Sequence, residues 1–249
     1  MPIKFRNTNN LPTGASGYSV SFDGTSQYLN VPASSNWAFG TGDFTVEWWQ
    51  YMTSQPAHPR VFAVGTYPST WVGVSIEGGT FYVWENGVAR FNFSLTAGGY
   101  LNQWIHFAIS RASGTTRVFK NGTQIGSSYA DSNDIANGST ILAIAQETAA
   151  NAGSYFPGKI SDFRILKGTG LYTSAFTAPT TPLTAIANTV LLTCNAATIV
   201  DGSTNNYTIT NVNGATVSNT VPFPSSPASI NVKIRNQRNN SNTSYIKLR

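Results

Sequence analysis

Residues 75–93 read SIEGGTFYVWENGVARFNF. Gly78-Gly79 and Asn86-Gly87 divide this stretch into three short runs in which apolar and polar residues alternate. Two-residue hairpin loops need φ > 0 at both central positions, which Gly accepts without cost and Asn tolerates. The stretch therefore predicts three antiparallel strands joined by two tight turns.

The same pattern extends outward. Asp23-Gly24, Asn121-Gly122 and Asn213-Gly214 also sit between apolar or alternating runs and are expected at hairpin turns. Residues 104–126, WIHFAISRASGTTRVFKNGTQIG, predict a strand followed by an Asn-Gly hairpin. In FTVEWWQYM, Phe44, Val46, Trp48 and Met52 share one face, and Thr45, Glu47, Trp49 and Tyr51 the other. Ile105, Phe107 and Ile109 likewise point one way. Period two with aromatic and β-branched residues indicates half-buried strands. The Ala-rich LAIAQETAANA (142–152) is short and has no cap, so it reads as a strand running into a loop. Regularly spaced strands without helices between them predict an all-β sandwich or barrel.

Composition sets the wider bounds. At 249 residues the chain fits one large sandwich or two small domains. Charged residues are 10%, against about 25% in an ordinary domain, and Ser, Thr, Asn and Gly take their place. This suits an exposed, turn-rich scaffold. The net charge is +5, and no acidic residue follows Asp201. Lys233, Arg235, Arg238, Lys247 and Arg249 crowd the tail, and Lys4 and Arg6 the N-terminus. With the five tail charges set aside, ten basic residues balance ten acidic ones. Cys194 is alone, which excludes a disulfide framework and a Cys-based zinc site. The first residues lack the apolar core of a signal peptide, and no apolar run is long enough to predict a membrane span. In a chain this rich in Asn, Ser and Thr, chance explains the Asn-x-Ser/Thr matches.

The expected organisation is an N-terminal arm (1–16), a sandwich (17–223) and a basic C-terminal tail (224–249). VPFPSSP (221–227) reads as a linker. Beyond it, INVKIRN and SYIKLR alternate apolar and basic residues, enough for a hairpin but too little apolar area for one to stand alone. Such arms fray unless tied down, so contacts with other chains are expected. Cations interleaved with apolar residues favour a protein partner over nucleic acid, for which no recognition motif appears.

YSVSFDGTSQYLNVPAS (18–34), FTVEWWQYM, QWIHFAISRASGTTRVFKNGTQIGS (103–127) and FPGKISDFRILKGTGLYTSAFTAPTTPL (156–183) together resemble the laminin-G-like, concanavalin A-like jelly-roll family over residues 17–183. The ending FRILKGTGLYTSAFTAPTTPL followed by LLTCNAATIVDGSTNNYTIT (191–210) further resembles modules in structural proteins of tailed bacteriophages, marine and cyanobacterial ones above all. The resemblance implies a concanavalin A-like β-sandwich of two antiparallel sheets. Family members usually begin with an element like 190–218, which here follows the rest. Two arrangements satisfy this: 190–218 closes its own sandwich as a circular permutation, or it pairs with a neighbouring subunit.

Against this family background the candidate chemistry is sparse. Glucanases on this fold need carboxylates a few residues apart on one strand, and no Glu-x-Asp-x-x-Glu pattern occurs. Asp131 and Asp134 lie in YADSNDIANG and read as turn formers. His58 and His106 are far apart with no nucleophile motif nearby, and His106 is expected to face solvent or the other sheet. Hydrolysis is therefore not expected. Asp162, Asp201 and Asp23 read as turn caps, and the resemblance adds a second use, ligands to a structural calcium ion. No other cofactor is expected. Tyr67, Trp71, Trp84 and Tyr100 lie near turns and are the candidate carbohydrate-binding aromatics. The resulting expectation is a non-enzymatic virion structural protein displayed on the phage head, in several copies, anchored by its basic arms to other virion proteins. The alternative is an adhesin for host surface glycans on the tail.

Overall fold

Strand after strand here places an aromatic or aliphatic residue at every second position, so each sheet acquires one apolar face that must be covered. The computed structural model describes residues 17–65, 72–96, 99–135, 140–147 and 154–223, and the backbone of residues 231–235 and 243–247. The strands are β1 (Ser19–Asp23), β2 (Tyr28–Val31), β3 (Phe44–Met52), β4 (Arg60–Val64), β5 (Val72–Glu77), β6 (Thr80–Glu85), β7 (Val88–Ser94), β8 (Trp104–Ala112), β9 (Thr115–Lys120), β10 (Thr123–Ala130), β11 (Leu142–Ile144), β12 (Pro157–Lys167), β13 (Thr189–Thr193), β14 (Thr210–Val212), β15 (Thr216–Ser218), β16 (Asn231–Arg235) and β17 (Thr243–Lys247). One 3₁₀ turn, Ser35–Trp37, is capped by the Ser34 hydroxyl.

Two antiparallel sheets form the sandwich. One has the order β10-β9-β8-β3-β12-β1-β15, with β13 also paired to β12; the other runs β14-β2-β11-β4-β5-β6-β7. Trp48 marks the centre of the core. It is fully buried, stacks on Phe107 and Phe81 and meets Phe62 edge-on. Its indole N–H is satisfied inside the core by Gln50 Oε1 at 2.9 Å.

The predicted hairpins β5–β6, β6–β7 and β9–β10 form at Gly78-Gly79, Asn86-Gly87 and Asn121-Gly122, all with positive φ. The expectation of hairpins at the other two dipeptides needs correction. Asp23-Gly24 joins β1 of the eight-stranded sheet to β2 of the seven-stranded one, and Asn213-Gly214 joins β14 to β15 across the same gap. The two corners lie together: Gln27 Nε2 donates to Gly214 O at 3.2 Å, and Asn213 Nδ2 to Ser26 O at 2.9 Å. β14 pairs with β2, β15 with β1 and β13 with β12, all within the same chain.

After β12 the chain does not return to a sheet at once. Residues 168–188 cross the outer face of the eight-stranded sheet as a strap. Leu171 N–H donates to Thr45 Oγ1, Tyr172 N–H to Ser110 Oγ and Phe176 N–H to Gly122 O. Gly122 has φ +80, and a Cβ there would collide with the Phe176 carbonyl oxygen, so the strap needs glycine at this point.

The hairpin β16–β17 pairs with neither large sheet. Its register sets Asn231, Lys233 and Arg235 opposite Lys247, Tyr245 and Thr243, and Val232 and Ile234 opposite Ile246 and Ser244.

Candidate functional site

The outer faces of the two sheets differ. On the eight-stranded sheet the strap seals a charged cluster. Glu47 on β3 accepts from Arg164 Nε at 3.0 Å and also from its Nη2 through Oε1; its Oε2 accepts from Tyr172 OH at 2.9 Å and lies 3.2 Å from His106 Nε2. Burial opposes ionisation of Glu47, but the His106 hydrogen bond and the Arg164 charge outweigh it and hold the carboxyl below its usual range. Burial and the Glu47 charge push the Tyr172 hydroxyl up. His106 was expected to face solvent or the opposite sheet; it is instead fully buried on the outer face, between Trp49 and Phe176. A charged residue on an outward position is buried here because the strap covers it, which strand alternation cannot reveal.

The outer face of the seven-stranded sheet is partly exposed along β6 and β7. Tyr82 and Trp84 alternate outward from β6, half-buried, with ring centroids 5.8 Å apart. Trp84 pairs across with Gly73, which has no side chain, so the indole can lie over β5 and donate to Ser75 Oγ at 2.9 Å. Ser75 in turn donates to Glu77 Oε1 at 2.8 Å, and Arg60 Nη1 reaches the same oxygen at 2.6 Å. His58, 60% exposed, sits 3.3 Å from Glu77 Oε2, and Arg60 Nε is 3.6 Å from Glu147 Oε2. The result is a polar chain, His58–Glu77–Arg60–Glu147, behind an aromatic pair. Burial works against ionisation of Glu77, but the Arg60 and Ser75 hydrogen bonds prevail and keep it below the usual carboxylate range. A carboxyl held ionised by a guanidinium accepts hydrogen bonds; it is not a general acid.

Of the other candidate aromatics, the described one, Tyr100, does not join this pair. Tyr100 packs against Gly79 just before β6, roughly 17 Å along the strand from Trp84. Tyr67 and Trp71 lie outside the described residues. Of the two described candidates, Trp84 belongs to the pair and Tyr100 does not. The sequence raises His58 only as a catalytic group and does not single out Arg60, Ser75 and Glu77, because cross-strand pairing rather than sequence spacing brings them together.

The three candidate calcium ligands are kept apart and already engaged. Asp23 accepts from the N–H groups of Thr25, Ser26 and Gln27, and these outweigh the effect of burial and hold its carboxyl well below the usual range. Asp201 accepts from Leu192 N, Ser203 N, Ser203 Oγ and Tyr207 N at 2.8–3.1 Å. Asp162 lies at a bulge of β12 with φ +54, accepting from Leu183 N and Ser161 Oγ; burial pushes it up to about 6. Each caps a turn or bulge, and among the described residues no group of three His, Cys, Asp or Glu side chains could hold a metal. Of the tail cations, Lys233, Arg235 and Lys247 lie on β16 and β17, and Arg238 and Arg249 fall outside the described residues.

Two solved structures share this architecture. A Bacteroides ovatus protein whose name assigns it to carbohydrate binding is 15% identical, with a TM-score of 0.52, covering 81% of this chain and 59% of its own. The chain thus spans little more than half of that protein. The heptameric SAP-like pentraxin of Limulus polyphemus is 16% identical, with a TM-score of 0.54, covering 82% of this chain and 95% of its own. At these identities the likeness is one of fold. No curated protein matches the sequence. The laminin-G-type family model matches residues 23–169, from the end of β1 to just past β12, which is more than half of the chain. Fold and family model agree: the chain belongs to the concanavalin A-like lectin/glucanases superfamily.

Proposed function

We propose that this chain is a non-enzymatic binding module of a tailed-phage particle, displayed on the head as a decoration or head-fibre protein and anchored through its basic C-terminal segment. The observation that carries this reading is β16–β17. It is a two-stranded sheet paired with neither half of the sandwich, and its sequence alternates basic Lys233, Arg235 and Lys247 with apolar Val232, Ile234 and Ile246. An isolated hairpin of this size is marginal in water, so its apolar residues call for a partner, and its cations select an acidic one. The phage assignment rests on the resemblance of residues 163–183 and 191–210. The test is electron microscopy of particles labelled with a gold-tagged antibody against this chain, with the full chain and with residues 224–249 deleted. Gold over the head that disappears on deletion is the expected result. Gold confined to the tail tip, or unaffected by the deletion, would refute it.

A second reading, a glycan-binding adhesin, is favoured by the aromatic pair and polar chain on the seven-stranded sheet. Sugars are bound by a ring face together with fixed donors and acceptors, and Trp84, Tyr82, Glu77 and Arg60 supply both. Glycan-array binding lost in Trp84→Ala and kept in Trp104→Ala would favour it; no binding to any glycan would remove it.

A further inference from the structure

Two inward-facing series end on a charge. Phe81 and Val83 of β6 are followed by Glu85, and Phe107 and Ile109 of β8 by Arg111. Alternation keeps both pointing between the sheets, at one end of the core. Glu85 is 1% exposed, Arg111 0% and Asp131, just beyond β10, 2%.

These groups join the two sheets. Arg111 donates to Gly42 O at 2.8 Å and Asn133 O at 3.0 Å, and its Nη1 lies 3.4 Å from Asp131 Oδ2, which also accepts from Thr116 Oγ1 at 2.7 Å. The Asn133 amide donates to Asp131 Oδ1 at 2.9 Å and to Glu85 Oε2 at 3.2 Å, so two carboxyl groups crowd one nitrogen. Arg90 of β7 has Nε 3.8 Å from Glu85 Oε2 and donates from Nη2 to Asn133 Oδ1 at 3.3 Å. Asn86, in the β6–β7 turn, donates to Asp134 O at 3.0 Å. The β6–β7 hairpin of one sheet is thereby tied to the 131–135 segment that follows β10 of the other.

Two side-chain atoms in this junction are unsatisfied, Arg90 Nε and one oxygen of Glu85. Glu85 Oε1 is buried without a hydrogen-bond partner. A buried carboxylate oxygen lacking a donor is costly when charged and far less so when the group is neutral. The charged groups facing Glu85 are Arg90 from β7, Arg111 from β8 and Asp131 beyond β10; the Tyr129 hydroxyl of β10 lies on the other side of Asn133, at 3.4 Å. Burial first, and the Asp131 charge second, push Glu85 up to about 7.

We propose that Glu85 is the proton-operated part of a latch between the sheets: its neutral carboxyl holds the β6–β7 hairpin against residues 131–135, and its ionised form loosens that hold. The sign follows from linkage. A carboxyl raised in the folded state binds its proton more tightly there, so the latch is firmest below the ordinary Glu value of 4.5 and weakens as pH rises from there through about 7.

The test has two parts. Carbon NMR of labelled Glu side chains gives the Glu85 midpoint, and hydrogen exchange, corrected for the intrinsic pH dependence, gives the opening of residues 80–94. The Glu85 midpoint is expected near 7, with opening about tenfold greater at pH 8 than at pH 6. Glu85→Gln should remove that pH dependence while keeping the shape of the side chain. A Glu85 midpoint in the ordinary carboxylate range, or the same pH-dependent opening in Glu85→Gln, would overturn the proposal. Should Glu85→Gln fail to fold, Asp131→Asn carries the test: it must lower the Glu85 midpoint, and an unchanged midpoint also overturns the proposal.

Discussion

Replacing Arg164 by Met tests whether the sealed outer face is held by charge compensation. Glu47 is fully buried, and Arg164 contributes two of its donors and its neutralising charge. Met fills similar space without either. Breaking a buried pair by removing one partner costs about 3–5 kcal/mol, because the remaining charge stays uncompensated. In a domain of this size each kcal/mol moves Tm by about 2–4 °C, so a fall of about 6–20 °C is expected. The pH dependence is the sharper signature. In the native chain Glu47 is held below its usual range, so its contribution is present above the unfolded-state value and is lost only as acid reaches the folded-state value. Without Arg164, burial dominates, the carboxyl takes up a proton, and the loss should be smaller at pH 5 than at pH 8. Glu47→Gln combined with Arg164→Met should recover part of the stability at pH 8, as the buried charge is gone. Urea unfolding of the native chain, Glu47→Gln, Arg164→Met and the double variant at both pH values measures all of this. A loss below about 1 kcal/mol, within the range of surface pairs, or one identical at pH 5 and pH 8, would refute the reasoning.

Three further outcomes follow from other sites. Asp162, raised to about 6, binds its proton more tightly in the folded state, so it should make stability fall as pH rises from about 4 to 6; Asp162→Asn should flatten urea midpoints across that window. Gly122→Ala should displace the strap from the β9–β10 turn, costing about 1–3 kcal/mol and exposing residues 168–188 to limited proteolysis, whereas an unchanged digestion pattern would show the strap is held elsewhere. Calcium or a chelator should leave Tm unmoved, because Asp23, Asp162 and Asp201 already accept N–H and O–H donors; a rise with calcium would assign one of them a second role.

The parts of the fold that depend on neighbours in sequence were legible. Gly78-Gly79, Asn86-Gly87 and Asn121-Gly122 join strands that pair with each other, and the turn chemistry alone specifies them. Asp23-Gly24 and Asn213-Gly214 carry the same chemistry and do something else. Whether a tight turn closes a hairpin or a corner is decided by which distant strand each arm meets, here β12 and β11 for the first. Charge was harder still. Glu47 and Arg164 are 117 positions apart, and nothing local marks them as partners. Glu85 and Arg111 occupy inward positions of well-formed alternations, where an apolar residue is the default and only the meeting of two strand ends makes charge tolerable. Trp84 stood out as an aromatic near a turn, but the residues behind it belong to β4 and β5, joined to it by cross-strand contact.

The two outer faces also bear on how anchoring and display could coexist in one module. Trp49, on the strap-covered side, meets Phe223 edge-on at 6.1 Å. A Cβ on Gly17 would lie 3.5 Å from the same Phe223 ring. The first and last residues of the sandwich therefore meet on the outer side of the eight-stranded sheet, and from there the chain continues into residues 1–16 and 224–249. The aromatic pair Tyr82 and Trp84 faces outward from the seven-stranded sheet, across the full thickness of the core. Stacked sheets lie about 10 Å apart, so a surface approached by both arms would stand more than one sheet spacing from the indole of Trp84. A module fixed through its arms would then leave the Trp84 face free. This separation makes the two readings compatible and the two experiments independent: deleting 224–249 should release the chain from the particle without changing what its sandwich binds, and Trp84→Ala should do the reverse.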